Sequence, residues 1–199
     1  MSADNEDTTP VFTGSFMQNF VNGQENDSGL TVFTVRADWA AEDCSGWDPA
    51  DPKSVPGWAE KALAAAIAQG KTKLWNNKVP GKLDMPFRDG NDHGADELTD
   101  CVYANPKSYR TRSPVIGPDG KALLQVDDTT IYSGAKYRAR IRLAPYSKAG
   151  KNGIGMYLVA IQKVAEGERR SGGISEDQAE KLFGAVEGES DALDDDFLN

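Results

Sequence analysis

Lys136-Tyr137-Arg138-Ala139-Arg140-Ile141-Arg142 alternates a cation with an apolar or aromatic residue at every step. Side chains on a strand alternate faces, so Lys136, Arg138, Arg140 and Arg142 share one face while Tyr137, Ala139 and Ile141 share the other. The stretch therefore predicts a strand that presents a cationic ladder over an apolar back. It continues to Leu143, and a turn follows in Lys148-Ala149-Gly150-Lys151-Asn152-Gly153. The apolar run Ile154 to Val164 then reads as a buried strand, so the two form a hairpin. The bland alternative is a solvated sheet face whose Arg residues pair with acids on neighbouring strands. Four cations on one face repel one another, and few acids lie nearby in the sequence to relieve them.

Working outward, other segments carry strand patterns. Leu30 to Arg36 alternates apolar and polar residues and is rich in β-branched side chains. Phe12, Phe16 and Phe20, spaced by four, mark either an irregular strand or a short helical turn. Cys101 to Asn105, Ser113 to Ile116 and Thr130 to Tyr132 are shorter strand candidates. Between these, Asp43 to Pro56 holds three Pro, one Gly and several Asp, which is loop chemistry. The Ala-rich stretch Trp58 to Trp75 predicts one helix, weakened or ended by Gly70. Twenty Gly and ten Pro in 199 residues imply many turns, and hydrophobic content of 39% with four Trp suffices for one core. One domain of all-β class is the expectation.

The net charge of −9 conceals a segregation. Residues 1–100 carry eight basic and seventeen acidic residues, residues 101–165 eleven and three, and residues 166–199 three and eleven. A cationic body precedes an anionic end, Asp194-Asp195-Asp196-Phe197-Leu198-Asn199. A polyanion site must be built mostly from the middle segment. Cys44 and Cys101 form no CxxC pair, which removes zinc-motif and disulfide-framework readings and suits a reducing cytosol. The start MSADNEDTTP has neither a basic nor an apolar leader region, and no apolar run approaches roughly 18 residues, so a soluble intracellular protein is expected.

Lys107-Ser-Tyr109-Arg110-Thr-Arg112 is a second basic and aromatic cluster, and Tyr103, Tyr132, Tyr146 and Tyr157 fall in the same cationic region. Single-stranded nucleic acid is held by neutralising phosphates and stacking bases on aromatic rings, each stack contributing on the order of 1–3 kcal/mol. Tyr and Arg interleaved on strands suit that chemistry. The acidic stretch Asp89 to Asp100 resembles a calcium loop at its first, third and sixth positions, but has His93 at the fifth and Asp100 where a Glu belongs. His93 is the single histidine, so His-pair zinc sites are excluded. A metal-dependent nuclease built on the Asp84–Asp100 acids, Asp84, Asp89 and Asp92 foremost, is one rival. A protein-interaction adaptor whose basic strand binds an acidic partner is another. GxSxG, Walker A and GxGxxG patterns are missing.

Five features in order resemble a family of phage single-stranded DNA-binding proteins. They are the Ala-rich helix ending at Trp75, Pro86-Phe87-Arg88-Asp89-Gly90, Tyr109 to Pro114, Tyr132-Ser133-Gly134-Ala135, and Lys151-Asn152-Gly153-Ile154-Gly155. The resemblance spans roughly residues 10–166. It implies an oligonucleotide/oligosaccharide-binding (OB) fold and non-catalytic coating of single-stranded DNA during replication, recombination or repair, in the host cytoplasm. It also implies that Asp194, Asp195, Asp196 and Phe197 recruit partners such as polymerase or helicase. Phe197 is followed by Leu198 and Asn199, a departure from members that close on the aromatic residue.

The resulting expectation is a disordered lead over residues 1–9, an OB barrel with an inserted helix over 10–167, and an acidic, mostly disordered tail over 168–199. Within that tail Ser175 to Val186 carries a capping-box signal for a marginal helix. Lys107, Arg110, Arg112, Lys136, Arg138, Arg140 and Arg142 are expected to meet phosphates. Tyr109, Tyr132, Tyr137 and Tyr146 are stacking candidates, although Tyr137 alternates with the Arg ladder. Phe87 and Arg88 are expected at the groove edge. Neither a cofactor nor a metal is called for, and duplex DNA remains a possible ligand beside single strands.

Overall fold

The computed structural model describes residues 6–170 except Pro52. In chain order the elements are β1 (Glu6–Thr8), β2 (Phe12–Ser15), α1 (Met17–Asn22), β3 (Gln24–Glu25), β4 (Thr31–Thr34), β5 (Arg36–Ala40), α2 (Glu60–Lys73), β6 (Arg88–Asp89), β7 (Cys101–Ala104), β8 (Lys107–Tyr109), β9 (Val115–Ile116), β10 (Lys136–Lys148) and β11 (Lys151–Ala165). All eleven strands belong to one sheet, ordered β3-β4-β8-β11-β10-β2-β5-β7-β6, with β1 added to β10 and β9 to β11. This is an OB-type, all-β architecture with α2 inserted between β5 and β6.

The β10–β11 hairpin is its spine. Lys136 pairs with Ala165 at one end and Lys148 with Lys151 at the other. The closing turn is only Ala149 and Gly150, both at positive φ (50° and 75°), which is the twist a two-residue hairpin requires. Register shifts beside Lys136/Tyr137 and Arg140/Ile141 leave Val164 and Val159 as extra residues on β11. Such bulges bend a strand and increase its twist. The predicted ladder strand is five residues longer than expected, because Ala144, Pro145 and Tyr146 keep pairing with Gly155, Ile154 and Gly153.

Leu30 to Arg36 is not one strand. Val35 donates its backbone N–H to Pro106 at 3.2 Å, and the chain changes partners there. β4 pairs with β8, whereas β5 pairs with β2 and β7. The Phe12/Phe16/Phe20 spacing resolves into both of its alternatives, with Phe12 opening β2 and Phe20 buried in α1. Thr130 to Tyr132 forms no strand, and Ser113 to Ile116 contributes only β9.

The expected lead over residues 1–9 is corrected at its far end. Glu6, Asp7 and Thr8 pair with Arg142, Ile141 and Arg140. Main-chain bonds to an exposed sheet edge make this strand, so its polar composition gave no hydrophobic signal. Pro10, which lacks an N–H, separates β1 from β2, and the Thr9 hydroxyl accepts the Ala139 N–H at 3.1 Å. Just past the boundary expected at 167/168, two residues still bond to the body of the domain. Arg169 donates to the carbonyls of Asp128 and Thr129, and Arg170 to Asp38 and Ser15. The remainder of the acidic tail, including Ser175 to Val186, lies outside the described residues.

Burial explains why the elements hold. Phe12, Trp39 and Tyr137 are buried, and Trp39 touches Phe12, Trp58 and Phe87 at centroid distances of 5.5, 5.6 and 6.0 Å. Burying each such ring contributes about 1.5–3 kcal/mol. Helix α2 buries Ala62, Leu63, Ala66 and Gly70 and packs on β10. At Gly70 a Cβ would meet the Trp75 ring at 2.5 Å and Pro145 at 2.8 Å, so the glycine permits close packing and does not end the helix. Cys44 and Cys101 are both free thiols, and burial pushes Cys44 up to about 12.

Candidate nucleic-acid interface

Alternation along β10 places the ladder as its spacing requires. Tyr137, Ala139, Ile141 and Leu143 are buried, while Lys136 and Arg138 are exposed and Arg140 and Arg142 half-buried on the opposite face. The same outward row continues through Ala144 to Tyr146. On β11 the residues opposite Arg142, Ala144 and Tyr146 are Tyr157, Gly155 and Gly153. β8 lies alongside, with Lys107 in register with Tyr157.

These elements enclose a groove of about 460 Å³ lined by Arg88, Lys107, Tyr109, Tyr146, Lys148 and Tyr157. The Tyr109 and Tyr157 rings lie 6.1 Å apart at 47°. Arg142 stands over Tyr157 at 5.6 Å, and Lys107 lies 6.0 Å from the Tyr109 centroid. Glycine makes the room. A Cβ at Gly153 would sit 2.5 Å from the Asp84 carbonyl oxygen and 2.6 Å from the Tyr146 hydroxyl, and one at Gly155 would sit 3.1 Å from the Tyr157 ring. That is the physical content of the Asn152-Gly153-Ile154-Gly155 motif.

At the groove mouth Tyr146 donates its hydroxyl to Asp84 Oδ2 at 2.6 Å, and Arg88 Nη2 meets Asp84 Oδ1 at 2.6 Å. Burial and the Asp84 acceptor together push the Tyr146 phenol up to about 12. Burial alone would raise Asp84, but the Tyr146 hydroxyl and the Arg88 guanidinium outweigh it and hold the carboxyl below its ordinary value. Burial, with Tyr109 adding to it, raises Tyr157.

The ladder lies further along the same face. Lys136 donates to Thr13 Oγ1 at 2.7 Å, and Arg138 Nε to Gln162 Oε1 at 2.8 Å. Arg140 contacts Thr8 Oγ1 at 3.3 Å and Glu6 at 3.6 Å. The acid that partly relieves the ladder therefore comes from β1, far away in sequence. Arg110 is exposed at a left-handed turn after β8, with φ of 67°.

Several expected residues lie elsewhere. Tyr137 is fully buried, and its hydroxyl both donates to the Tyr132 carbonyl at 2.8 Å and accepts the Tyr132 N–H at 3.0 Å. It is a core residue, because alternation turns it away from the Arg face. Arg112 donates to the carbonyls of Val21 and Val126, tethering α1 to the loop that precedes β10. Tyr132 sits near the Lys136 end of the hairpin, with Lys163 at 4.7 Å and Arg169 at 4.0 Å from its ring and its hydroxyl on Glu166. Roughly ten strand residues, about 33 Å, separate that end from Tyr146. Phe87 is buried in the aromatic core, leaving Arg88 alone at the groove.

Two groove residues, Tyr157 and Lys148, escaped the expected set. Tyr157 was legible in Ile154-Gly155-Met156-Tyr157-Leu158, whose alternation sets it opposite the buried Ile154, Met156 and Leu158. Reading that run as wholly buried hid the second face.

Beside Asp84, two further acids before Asp100, Asp89 and Glu97, have side chains with partners of their own. The Asp89 carboxylate caps the Asn91 N–H, and the Asn91 side chain accepts the Asp100 N–H. Glu97 pairs with Arg36 at 3.2 Å. Among the described residues no group of three or more His, Cys, Asp or Glu is placed to hold a metal ion.

The family model of the single-stranded DNA-binding protein of Enterobacter phage Enc34 matches residues 49–198. The chain belongs to the Enc34 single-stranded DNA-binding protein family. Every groove residue named above lies within the matched span, as do Asp194 to Phe197, which are outside the described residues. The fold agrees with solved relatives. A C-terminal truncation of the Enc34 protein superposes with a TM-score of 0.63 at 13% identity, covering 83% of this chain and 89% of that one. The Enc34 protein in complex with single-stranded DNA gives 0.58 at 13%, covering 84% and 90%. The single-stranded DNA-binding protein gp2.5 of bacteriophage T7 gives 0.54 at 16%, covering 92% and 96%. No curated protein sequence matches the chain.

Proposed function

We propose that this member of the Enc34 family coats single-stranded DNA during phage replication, without strong sequence preference and without catalysis. The observation that carries the reading is the groove itself, where Tyr109, Tyr146 and Tyr157 alternate with Lys107, Arg142, Lys148 and Arg88. Rings offer every base a π-face, so stacking is tolerant of sequence, and the cations neutralise the backbone beside them. Lys136, Arg138 and Arg140 extend the cationic path along β10, with Arg110 at its margin. The acidic end, Asp194 to Asp196 with Phe197, recruits a replication partner through its charge and its ring. No helix is long and apolar enough to cross a membrane among the described residues, and family membership is in keeping with work in the host cytoplasm.

Titration of a labelled dT oligomer and of mixed-sequence and duplex oligomers at several salt concentrations tests this. The logarithm of the affinity falls with that of salt by about 0.7 for each single-strand phosphate neutralised. Single strands of differing sequence bind alike and tighter than duplex. Salt-independent affinity, or no binding at low salt, contradicts the reading.

A further inference from the structure

Among the described residues Asp84 is the one carboxylate lining the groove with its cations and rings, and its main chain is fixed by hydrogen bonds. Its N–H donates to the Asn152 carbonyl and its own carbonyl accepts the Ile154 N–H, both at 2.9 Å. Gly153 lies against it in an isolated parallel bridge. The Asp84 main chain thus stays at the groove mouth whatever its side-chain partners do. One oxygen takes Arg88 and the other the Tyr146 hydroxyl, so two donors that a phosphate would use are already occupied by an anion.

The pair is nevertheless easy to open. The side chains of Asp84 and Arg88 are 53% and 45% exposed, and exposed ion pairs are weak because water and salt screen them. On the far side of Asp84 the surroundings change sign. An adjoining cavity shares Asp84, Met85 and Arg88 with the groove, and there Asp48, Asp51, Asp89 and Asp92 outnumber Lys82 and Lys151. A DNA backbone following Lys107 and Lys148 reaches Arg88 at the point where the lining turns from mostly cationic to mostly acidic.

We propose that Asp84 is a built-in competitor for phosphate: it holds Arg88 and Tyr146 when the groove is empty, yields them to a backbone phosphate, and thereby caps affinity so that the strand can be released. This rests on the single-strand-binding reading above. An anion displaced by an anion lowers the gain from the Arg88–phosphate contact without blocking the groove.

The test measures dT-oligomer affinity by fluorescence anisotropy over a salt series, using the full chain as wild type, Asp84→Asn, Arg88→Gln and the double variant. Asp84→Asn is expected to bind about fivefold tighter at low salt. Its salt slope should also steepen by about 0.7, the share of one additional neutralised phosphate. In the Arg88→Gln background the same substitution should bring a clearly smaller gain, because only the Tyr146 hydroxyl is then left for Asp84 to hold. Unchanged or weaker binding by Asp84→Asn, with its thermal midpoint preserved, overturns the proposal and makes Asp84 a positioning group. An equal gain in the Arg88→Gln background also overturns it, since that is a general charge effect. Asp84→Ser serves as a second neutral variant should the amide lower the midpoint. If the wild type itself fails to bind, the single-strand reading fails, which is a different outcome from an unresponsive Asp84.

Discussion

Tyr146 joins stability to the binding surface through one hydroxyl. Its phenol is pushed up to about 12 by burial and by the Asp84 acceptor, against an ordinary value of 10. The fold therefore favours the protonated phenol. The stabilisation is fully present below about pH 10 and is lost as pH rises through about 12. Burial also raises Tyr137 and Tyr157, so absorbance titration of tyrosinate should show a late-ionising group of rings that Tyr146→Phe reduces by one, and the stability gap between wild type and variant should shrink above pH 10. Asp38 makes a second prediction at this scale. Its nearly fully buried carboxylate accepts bonds from Ser15, Arg36 and Arg170, and burial pushes the group up despite them. Asp38→Asn takes the buried anion from both guanidinium groups, leaving Arg36 only the half-exposed Glu97, and should cost about 3 kcal/mol in chemical denaturation. Sequence gave no hint of this cluster, because Arg36 and Arg170 are 134 positions apart and meet only through β5 packing. Tyr137, by contrast, was readable from the ladder's own period, which turns every second residue inward.

The hairpin is the element in which sequence and structure agree most closely. Alternation over Lys136 to Arg142 and the apolar run after Gly153 specify two strands, and Gly150 specifies where they turn. What the pattern could not supply was partners for the spine. β1, β3, β6 and β8 are two or three residues long and are made by main-chain pairing, so neither period nor composition marks them. The split between β4 and β5 was equally hidden, since alternation survives a change of neighbouring strand. The turn carries a prediction. Ala149 adopts φ of 50°, a left-handed conformation costing a residue with a Cβ roughly 1–2 kcal/mol. Ala149→Asn, which tolerates that region, should raise stability by about 0.5–1 kcal/mol and leave DNA affinity unchanged. Gly153→Ala should do the reverse, because its methyl collides with the Asp84 carbonyl and the Tyr146 hydroxyl. Thermal midpoints and oligomer titrations on the two variants check both.

For the whole molecule, segregated charge organises the account. The cationic middle of the chain supplies β8, β10 and β11, and folding gathers Lys107, Arg142 and Lys148 around three tyrosines although the protein is acidic overall. The ladder was legible as a linear pattern; the groove was not, because it needs β8 to lie beside β11 and Gly153 and Gly155 to clear space for the rings. The central claim is that this groove, more than the ladder alone, holds single-stranded DNA. Tyr157 tests it most directly, since its ring lies between Arg142 and Tyr109. The decisive measurement is dT-oligomer affinity of Tyr157→Ala against wild type. A loss of about 1–3 kcal/mol, with salt slope and thermal midpoint nearly unchanged, is predicted for a stacking ring. Affinity equal to wild type would contradict the account.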